Sequence, residues 1–290
     1  MNAELLIMFT LDCDRAYLYA HPERELTPDE VRRYDEALAR RSTGVPAQYI
    51  TGHQEFWGMD LIVSSAVLIP RPETEHLVEE TLVLVSAGAG GNQDQDQQQR
   101  TGLSAPHRPS ALRNLRIIDL GTGSGAIALA LAKELPTAEI HATDISPQAL
   151  EVARANAARH ELTSRVKFHL ADLLDGFSPA SFDIIVSNPP YVGDSEEDSV
   201  QLEVRKFEPR NAVFAGPTGI EVIERLIPQA HAALVPGGWL VFEISGTIGH
   251  RVRGLLSNWN DVAIRNDLQG IARVAIARKH CERNYQGLEN

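Results

Sequence analysis

Arg116-Ile117-Ile118-Asp119-Leu120-Gly121-Thr122-Gly123-Ser124-Gly125-Ala126 is the stretch that decides the fold. An apolar run of strand length meets a turn dense in glycine, and residues 126–133 then carry helical spacing. Glycines suit a point where the chain reverses tightly and a ligand approaches the backbone. The free N–H groups at the start of the following helix favour a negative or polar ligand. Asp144 ends the next strand, about 20 residues downstream, where an acid can hydrogen-bond both hydroxyls of a ribose. A mere tight turn needs no such acid, so the pair reads as a nucleoside site. Gly121, Gly123 and Ala126 also satisfy the GxGxxA form of a dinucleotide fingerprint, which leaves a nicotinamide enzyme open. No Gly-Lys-Ser/Thr follows, so the turn is not a P-loop.

Downstream the alternation continues. Residues 139–143 read as a strand and 147–159 as a helix, 166–169 and 182–187 as strands, 219–234 as a helix, 239–244 as a strand and 249–256 as a helix. Repeated βα units predict a mostly parallel sheet with helices on both faces. The last two strands, 262–266 and 273–277, have no helix between them and must pair antiparallel.

Upstream, residues 2–41 have helical apolar spacing: Leu5, Leu6 and Phe9 in one run, Val31, Tyr34 and Leu38 in another. Thr27-Pro28-Asp29-Glu30 predicts a cap, a proline in the first turn and acids beside it. Helices this short must lean on a neighbour. Residues 49–69 read as β-like around a turn at Gly58-Met59-Asp60, a hairpin between two domains. Ile69-Pro70-Arg71-Pro72 is stiff and extended, and 73–85 is a helix. Residues 86–113, rich in Gly and then Gln, have almost nothing to bury and read as a disordered surface loop with no role in turnover.

Composition narrows the class. There is no apolar run of about 18 residues, so no membrane span or membrane partner is expected. Residues 1–11 lack a basic n-region and a small-residue cleavage site, so they read as a core helix and not a signal peptide. Cys13 and Cys281 can form neither a disulfide framework nor a CxxC zinc site, which points to a reducing cytoplasm. The net charge of -12 argues against gripping a phosphate backbone, so no direct nucleic-acid partner is expected. His53, His76 and His141 are scattered and suggest surface or packing roles, with no metal.

Ser187-Asn188-Pro189-Pro190-Tyr191 follows the fourth strand, at the carboxyl edge where ligands sit in doubly wound sheets. Two prolines stiffen the loop and leave the Pro189 carbonyl free to accept, with the Asn188 side chain beside it. The NH₂ of an amide or aromatic amine has two hydrogens and a delocalised, poorly nucleophilic lone pair. Accepting both hydrogens, at Asn188 Oδ1 and the Pro189 carbonyl, would aim that lone pair at an incoming methyl group. Tyr191 can stack on the flat group. In isolation Asn-Pro is a common turn starter. Behind the glycine turn and Asp144, it points to methyl transfer from a sulfonium donor. The dehydrogenase alternative lacks an acid/base partner in this loop.

With these residues in hand, the chain resembles the HemK/PrmC family of peptide chain release factor N5-glutamine methyltransferases. The resemblance runs over about residues 41–279 and includes Gln48-Tyr49-Ile50, Leu68-Ile69-Pro70-Arg71-Pro72-Glu73-Thr74-Glu75, Glu208-Pro209-Arg210, Gly216-Pro217-Thr218-Gly219 and Pro236-Gly237-Gly238-Trp239. The tetrad alone is shared with adenine-N6 DNA methyltransferases; the Ile69–Glu75 and Glu208–Gly219 segments are the specific part.

The resemblance implies a class I S-adenosyl-L-methionine-dependent methyltransferase, Rossmann-like, with a mostly parallel seven-stranded sheet. It also implies a helical N-terminal partner-recognition domain (1–48), a hairpin linker (49–70) and a transferase domain (71–290). The implied partners are class 1 release factors, methylated on the glutamine of a Gly-Gly-Gln loop, with S-adenosyl-L-homocysteine as product. Gly121, Thr122, Gly123, Ser124 and Gly125 would line the methionine part of the cofactor and Asp144 would take the ribose. Asp172 and Leu173 would flank the adenine, while Asn188, Pro189, Pro190 and Tyr191 would hold the substrate amide, with Asn188 also beside the cofactor. Arg71, Glu73 and Thr74 read either as a wall of the site or as a hairpin-to-helix connector. Ribosomal-protein glutamine methylation and adenine-N6 methylation are the neighbouring alternatives, and a nicotinamide oxidoreductase the one from another class. Two departures stand out. The family's helical domain usually carries a further helix before Glu4-Leu5-Leu6, so a shortened domain is expected, and the Gln-rich loop near 93–99 is longer than usual.

Overall fold

The computed structural model describes residues 2–90, 114–267 and 269–281. Four helices open the chain: α1 (Asn2–Leu11), α2 (Arg15–Ala20), α3 (Pro28–Ser42) and α4 (Ala47–Thr51). The Thr27 cap forms as expected: its hydroxyl accepts from the Glu30 N–H, and the Glu30 carboxylate accepts from the Thr27 N–H. Leu6, Ala37 and Ile50 make a small core of their own, with Tyr34 and Val45 packed against it.

Strands β1 (His53–Phe56) and β2 (Met59–Ile62) form the expected antiparallel hairpin, with two corrections. Tyr49, Ile50 and Thr51 are helical, because α4 runs on until Gly52 ends it at φ 78°. The turn is Trp57-Gly58 and not Gly58-Met59-Asp60; both residues have positive φ, 54° and 64°, the geometry that matches strand twist in a two-residue hairpin. A 3₁₀ turn at Pro72–Thr74 leads into α5 (Glu75–Gly90). The helix therefore takes in residues 86–90, assigned to the loop by their composition, because Ala87 and Ala89 favour helix strongly and no proline interrupts the run. The rest of that loop, 91–113, lies outside the described residues.

The remaining elements are β3 (Arg116–Leu120), α6 (Ala126–Glu134), β4 (Glu139–Asp144), α7 (Pro147–Arg159), β5 (Val166–Leu170), β6 (Phe182–Ser187), β7 (Val192–Gly193), α8 (Leu202–Phe207), α9 (Arg210–Val213), β8 (Phe214–Gly216), α10 (Glu221–Ala233), β9 (Leu234–Glu243), α11 (Gly249–Leu255), β10 (Asn260–Asn266) and β11 (Ala272–Arg278). Among the described residues, seven strands form one sheet in the order β10-β11-β9-β6-β3-β4-β5. Every pairing is parallel except those of β11 with β9 and β10, as the missing crossover helix requires. Strand β9 begins at Leu234, five residues before its expected start at 239, because Leu234 pairs with Phe182 across a bulge. Gly238 permits this: a Cβ there would sit 2.9 Å from the Asp183 carbonyl oxygen. The pair β7–β8 is a separate small sheet that short runs in an irregular segment did not suggest.

Alternation along β3 divides the core. Ile117 faces a layer with α5 and α6, whereas Ile118 and Leu120 face α10 and α11. A mostly parallel seven-stranded sheet with helices on both faces, preceded by a helical N-terminal region and a hairpin, is the Rossmann-like architecture that the resemblance implied. The hairpin docks through Asn156, fully buried on α7, whose amide pairs with both Ile62 N–H (2.7 Å) and Ile62 carbonyl (3.0 Å). Trp57 Nε1 donates to Glu134 at 3.0 Å.

Candidate active site

The carboxyl ends of β3, β4, β5 and β6 open onto a cleft of about 330 Å³, roofed by Val67, Leu68 and Pro70 from one loop and by Pro209, before α9, and Phe214, at the start of β8. Its wall includes Gly121, Thr122, Gly123, Ser124, Asp144, Asp172, Leu173, Asn188 and Pro190. One concavity thus gathers most of the residues singled out in the sequence.

The glycine turn is held from below. Asp119, at 1% exposure, accepts the Thr122 hydroxyl at 2.6 Å and the Ala128 N–H at 3.2 Å, both on Oδ2. Its Oδ1 is buried with no partner among the described residues. Burial pushes this carboxyl up to about 7, against the pull of the Thr122 hydroxyl and the Ala128 amide. Gly121 and Gly123 have φ of 69° and 56°, and a Cβ on either would meet nothing within 4 Å. Open space over a left-handed backbone is what a close-lying ligand requires. Gly125, also left-handed, lies behind the cleft: its Cβ would meet Ala153 Cβ at 3.2 Å, so it serves helix packing.

Asp144 follows. Its Oδ2 accepts from Gly123 N–H and its Oδ1 from Ser146 N–H, each at 2.9 Å. Burial raises its pKa. Asp172, after β5, pairs with Arg225 of α10, and the adjoining Leu173 holds φ 51° with its carbonyl accepting from Thr143 Oγ1 at 3.1 Å. The far end of the cleft therefore combines an apolar ledge with a paired carboxylate.

At the other end, Asn188 donates from Nδ2 to Thr74 Oγ1 at 3.1 Å. Thr74 donates to Glu243 Oε2 at 2.7 Å, and Tyr191 OH donates to Glu243 Oε1 at 2.9 Å. Pro189 is buried and Pro190 lines the cleft. Gly219 shows why the Gly216–Gly219 segment is glycine-rich: a Cβ there would lie 2.7 Å from the Tyr191 carbonyl oxygen, so the segment packs onto the tetrad. Glu208, nearly inaccessible, pairs with Arg71 and accepts from Ile69 N–H at 3.1 Å, tying the two roof loops together. Arg71 is thus a clamp of the roof and Thr74 a support of Asn188, while Glu73 is exposed.

The donor set fits S-adenosyl-L-methionine: a glycine cradle with open space, the Asp144 carboxylate bonded to the edge of that cradle and lining the same cleft, and an apolar ledge beyond. Among the described residues, no group of three or more His, Cys, Asp or Glu could hold a metal ion. His53 and His141 pair with Asp60 and Glu139, and His76 with the Glu73 carbonyl, in keeping with surface and packing roles.

Comparison with known proteins agrees with this geometry. A Methyltransferase small domain model matches residues 103–206, and a PrmC N-terminal domain model matches residues 1–52. The release factor glutamine methyltransferase of Koribacter versatilis (strain Ellin345) is 51% identical over 96% of this chain and 91% of its own length. The chain belongs to the release factor glutamine methyltransferase family. Family members of the same description from Xylella fastidiosa (strain Temecula1) and Rhodopirellula baltica are 38% and 37% identical, each over 96% of this chain and 92% and 89% of their own lengths. Among solved structures, the hMettl16 catalytic domain in complex with MAT2A 3'UTR hairpin 6 shares the fold, with a TM-score of 0.55 at 17% identity over 87% of this chain and 81% of that one. A methyltransferase from Pyrococcus furiosus does so with a TM-score of 0.50 at 19% identity over 86% and 98%.

Reading along the chain missed Asp119, Asn156, Glu208 and Glu243 as supports of the family's cleft. Asp119 carried a usable signal, an acid ending an apolar strand just before the glycines. Glu243 carried the same kind of signal at the end of β9, but nothing nearby in sequence said what it faces.

Proposed function

We propose that this chain transfers the methyl group of S-adenosyl-L-methionine to the side-chain amide nitrogen of the glutamine in the Gly-Gly-Gln loop of class 1 peptide chain release factors, leaving S-adenosyl-L-homocysteine. The observation that carries this reading is Asn188, a hydrogen-bonding side chain opening onto the same cleft as Gly121 and Gly123 in a chain of this family.

When bound, S-adenosyl-L-methionine supplies an electrophilic sulfonium methyl, and the protein supplies position. Gly121, Thr122, Gly123 and Ser124, with Gly125 packed behind them, form the turn that would hold its methionine part; Asp144 would take the ribose hydroxyls, and Asp172 and Leu173 would flank the adenine. Asn188 Oδ1 and the Pro189 carbonyl accept the two N–H hydrogens of the substrate amide. That fixes the nitrogen and turns its lone pair toward the methyl group. Pro190 keeps the loop rigid, and the Tyr191 ring meets the flat amide. The cationic nitrogen formed as the sulfonium becomes a neutral thioether then gives one proton to water, so no base has to act first. Residues 1–48 recognise the partner, 49–70 link, and 71–290 carry the chemistry. No described helix is long and apolar enough to cross a membrane, and the two cysteines are free, which suits work in the cytoplasm.

Methyl transfer from labelled cofactor to purified release factor, ribosomal proteins and DNA in parallel tests the reading. Label on the release factor glutamine is the expected result, and label only on ribosomal protein or only on DNA overturns it.

A further inference from the structure

Glu243 is a carboxylate at 2% exposure, at the end of β9 and behind the tetrad. Burying an anion is costly unless it is fully hydrogen-bonded, and packing alone would be served by an apolar side chain. Both of its oxygens are engaged, one by the Thr74 hydroxyl and the other by the Tyr191 hydroxyl. An ionised carboxylate only accepts. The single hydroxyl hydrogen of Thr74 is therefore committed to Glu243, and the Thr74 oxygen has only lone pairs left for Asn188. Asn188 must then turn its NH₂ toward Thr74, as observed at 3.1 Å, which leaves Oδ1 at the other end of the planar amide, directed away from Thr74.

An uncommitted hydroxyl would bond either end of the amide with similar energy. The flipped amide would present N–H donors to a substrate NH₂ that itself needs acceptors. We propose that Thr74 and ionised Glu243 form a positioning relay that fixes the Asn188 amide with its oxygen toward the substrate, so that Glu243 sets the competence of the tetrad without touching the reacting atoms. The proposal rests on the functional reading above and adds to it the reason why Thr74 belongs to the same site as Asn188.

The relay has a built-in pH dependence. Burial raises the Glu243 pKa, while the Thr74 and Tyr191 hydroxyls and the charge of Arg273 oppose that rise and Glu73 adds to it. Arg273 on β11 is itself held by Asp267 at 2.9 Å. Above its folded pKa Glu243 is a pure acceptor and the relay runs one way. Below it, Glu243 can donate to Thr74, and the direction is lost.

The full chain is compared with Thr74→Val, Thr74→Ser, Glu243→Gln and the Thr74→Val/Glu243→Gln double variant. Release factor is the methyl acceptor, and calorimetric binding of S-adenosyl-L-homocysteine monitors the cofactor end. Thr74→Val and Glu243→Gln are each expected to lower kcat roughly hundredfold while KM and product affinity stay within about threefold. Thr74→Ser should restore most of the kcat lost in Thr74→Val, and the double variant should be no worse than the weaker single, because one relay is removed once. The acid limb of the wild-type kcat profile should lie above the ordinary carboxylate range and vanish in Glu243→Gln. A kcat for Thr74→Val within about twofold of wild type, or a parallel loss of kcat and product affinity, overturns the relay. If Glu243→Gln does not fold, the Thr74 pair decides. If wild type methylates no release factor, the functional reading fails instead. The relay is then judged by nitrogen-15 NMR: slowed exchange of an Asn188 side-chain N–H in wild type, lost in Thr74→Val, supports it, and equal exchange overturns it.

Discussion

The glycine turn and the tetrad are both loops at the carboxyl edge of the sheet, both contribute to one cleft, and each rests on a buried carboxylate. They differ in where their supports come from. The turn is built almost entirely from its own neighbourhood: Asp119 lies three residues from Thr122 and nine from Ala128, and Asp144 ends the adjacent strand. The tetrad depends on Thr74, 114 residues away from Asn188, and on Glu243, 52 residues beyond Tyr191. Its backbone is also pressed by Gly219. A loop made by local contacts is fixed once strand and helix form. A loop made by remote contacts is correct only when hairpin connector, sheet and roof have all assembled, so its chemistry is open to distant substitutions.

The contrast is broken most severely from the turn. Gly123→Val should abolish measurable S-adenosyl-L-homocysteine binding in calorimetry, and turnover with it. It fills the open space above the backbone and forces a β-branched residue to φ 56°. Asn188→Ala should lower kcat by roughly 10²–10³ with product affinity little changed, since it removes one acceptor from the substrate amide. If steady-state kinetics and calorimetry show both falling together, the two loops are not separable. Gly219→Ala should act on the tetrad from a distance. The Cβ cannot fit 2.7 Å from the Tyr191 carbonyl oxygen, so a loss of about 2 kcal/mol in denaturant melts and about tenfold in kcat is expected.

The smallest effect is electrostatic. Burial lifts the Asp119 carboxyl to about 7. A carboxyl raised on folding adds stability below its unfolded value of about 4 and gives it up as pH climbs through its folded value. The melting temperature of wild type relative to Asp119→Asn should therefore fall between about pH 4 and pH 7 and level off above. A difference that rises with pH would mean that the Thr122 and Ala128 bonds outweigh burial.

The same distinction explains how far the residues could be read in order. The βα alternation, the final antiparallel pair, the Thr27 cap and the glycine turn were legible, because each depends on periodicity or on chemistry within a few residues. Tyr49 reads as β-like because its helix is only five residues long and ends at Gly52, too short for a period to show. Leu234 reads as the last residue of a helix and 235–238 as a loop, because Pro236-Gly237-Gly238 looks like one until Asp183 is placed beside it. Arg71 and Thr74 were suspected as a wall of the site, but their partners, Glu208 and Glu243, are 137 and 169 residues away.

By itself, the sequence determined the fold class, the order of the elements, the nucleoside-binding turn with Asp144, and a tetrad suited to a flat NH₂ group. These follow from backbone geometry and side-chain spacing, which act over a turn of helix or the length of a strand. Only the tertiary structure decided that Gly125 packs a helix while Gly121 and Gly123 face open space. It also brought a buried carboxylate, a threonine from the hairpin connector and a glycine from the segment between β8 and α10 together on the tetrad. Hydrogen bonds act at about 3 Å whatever the separation along the chain, and that proximity exists only in the folded molecule.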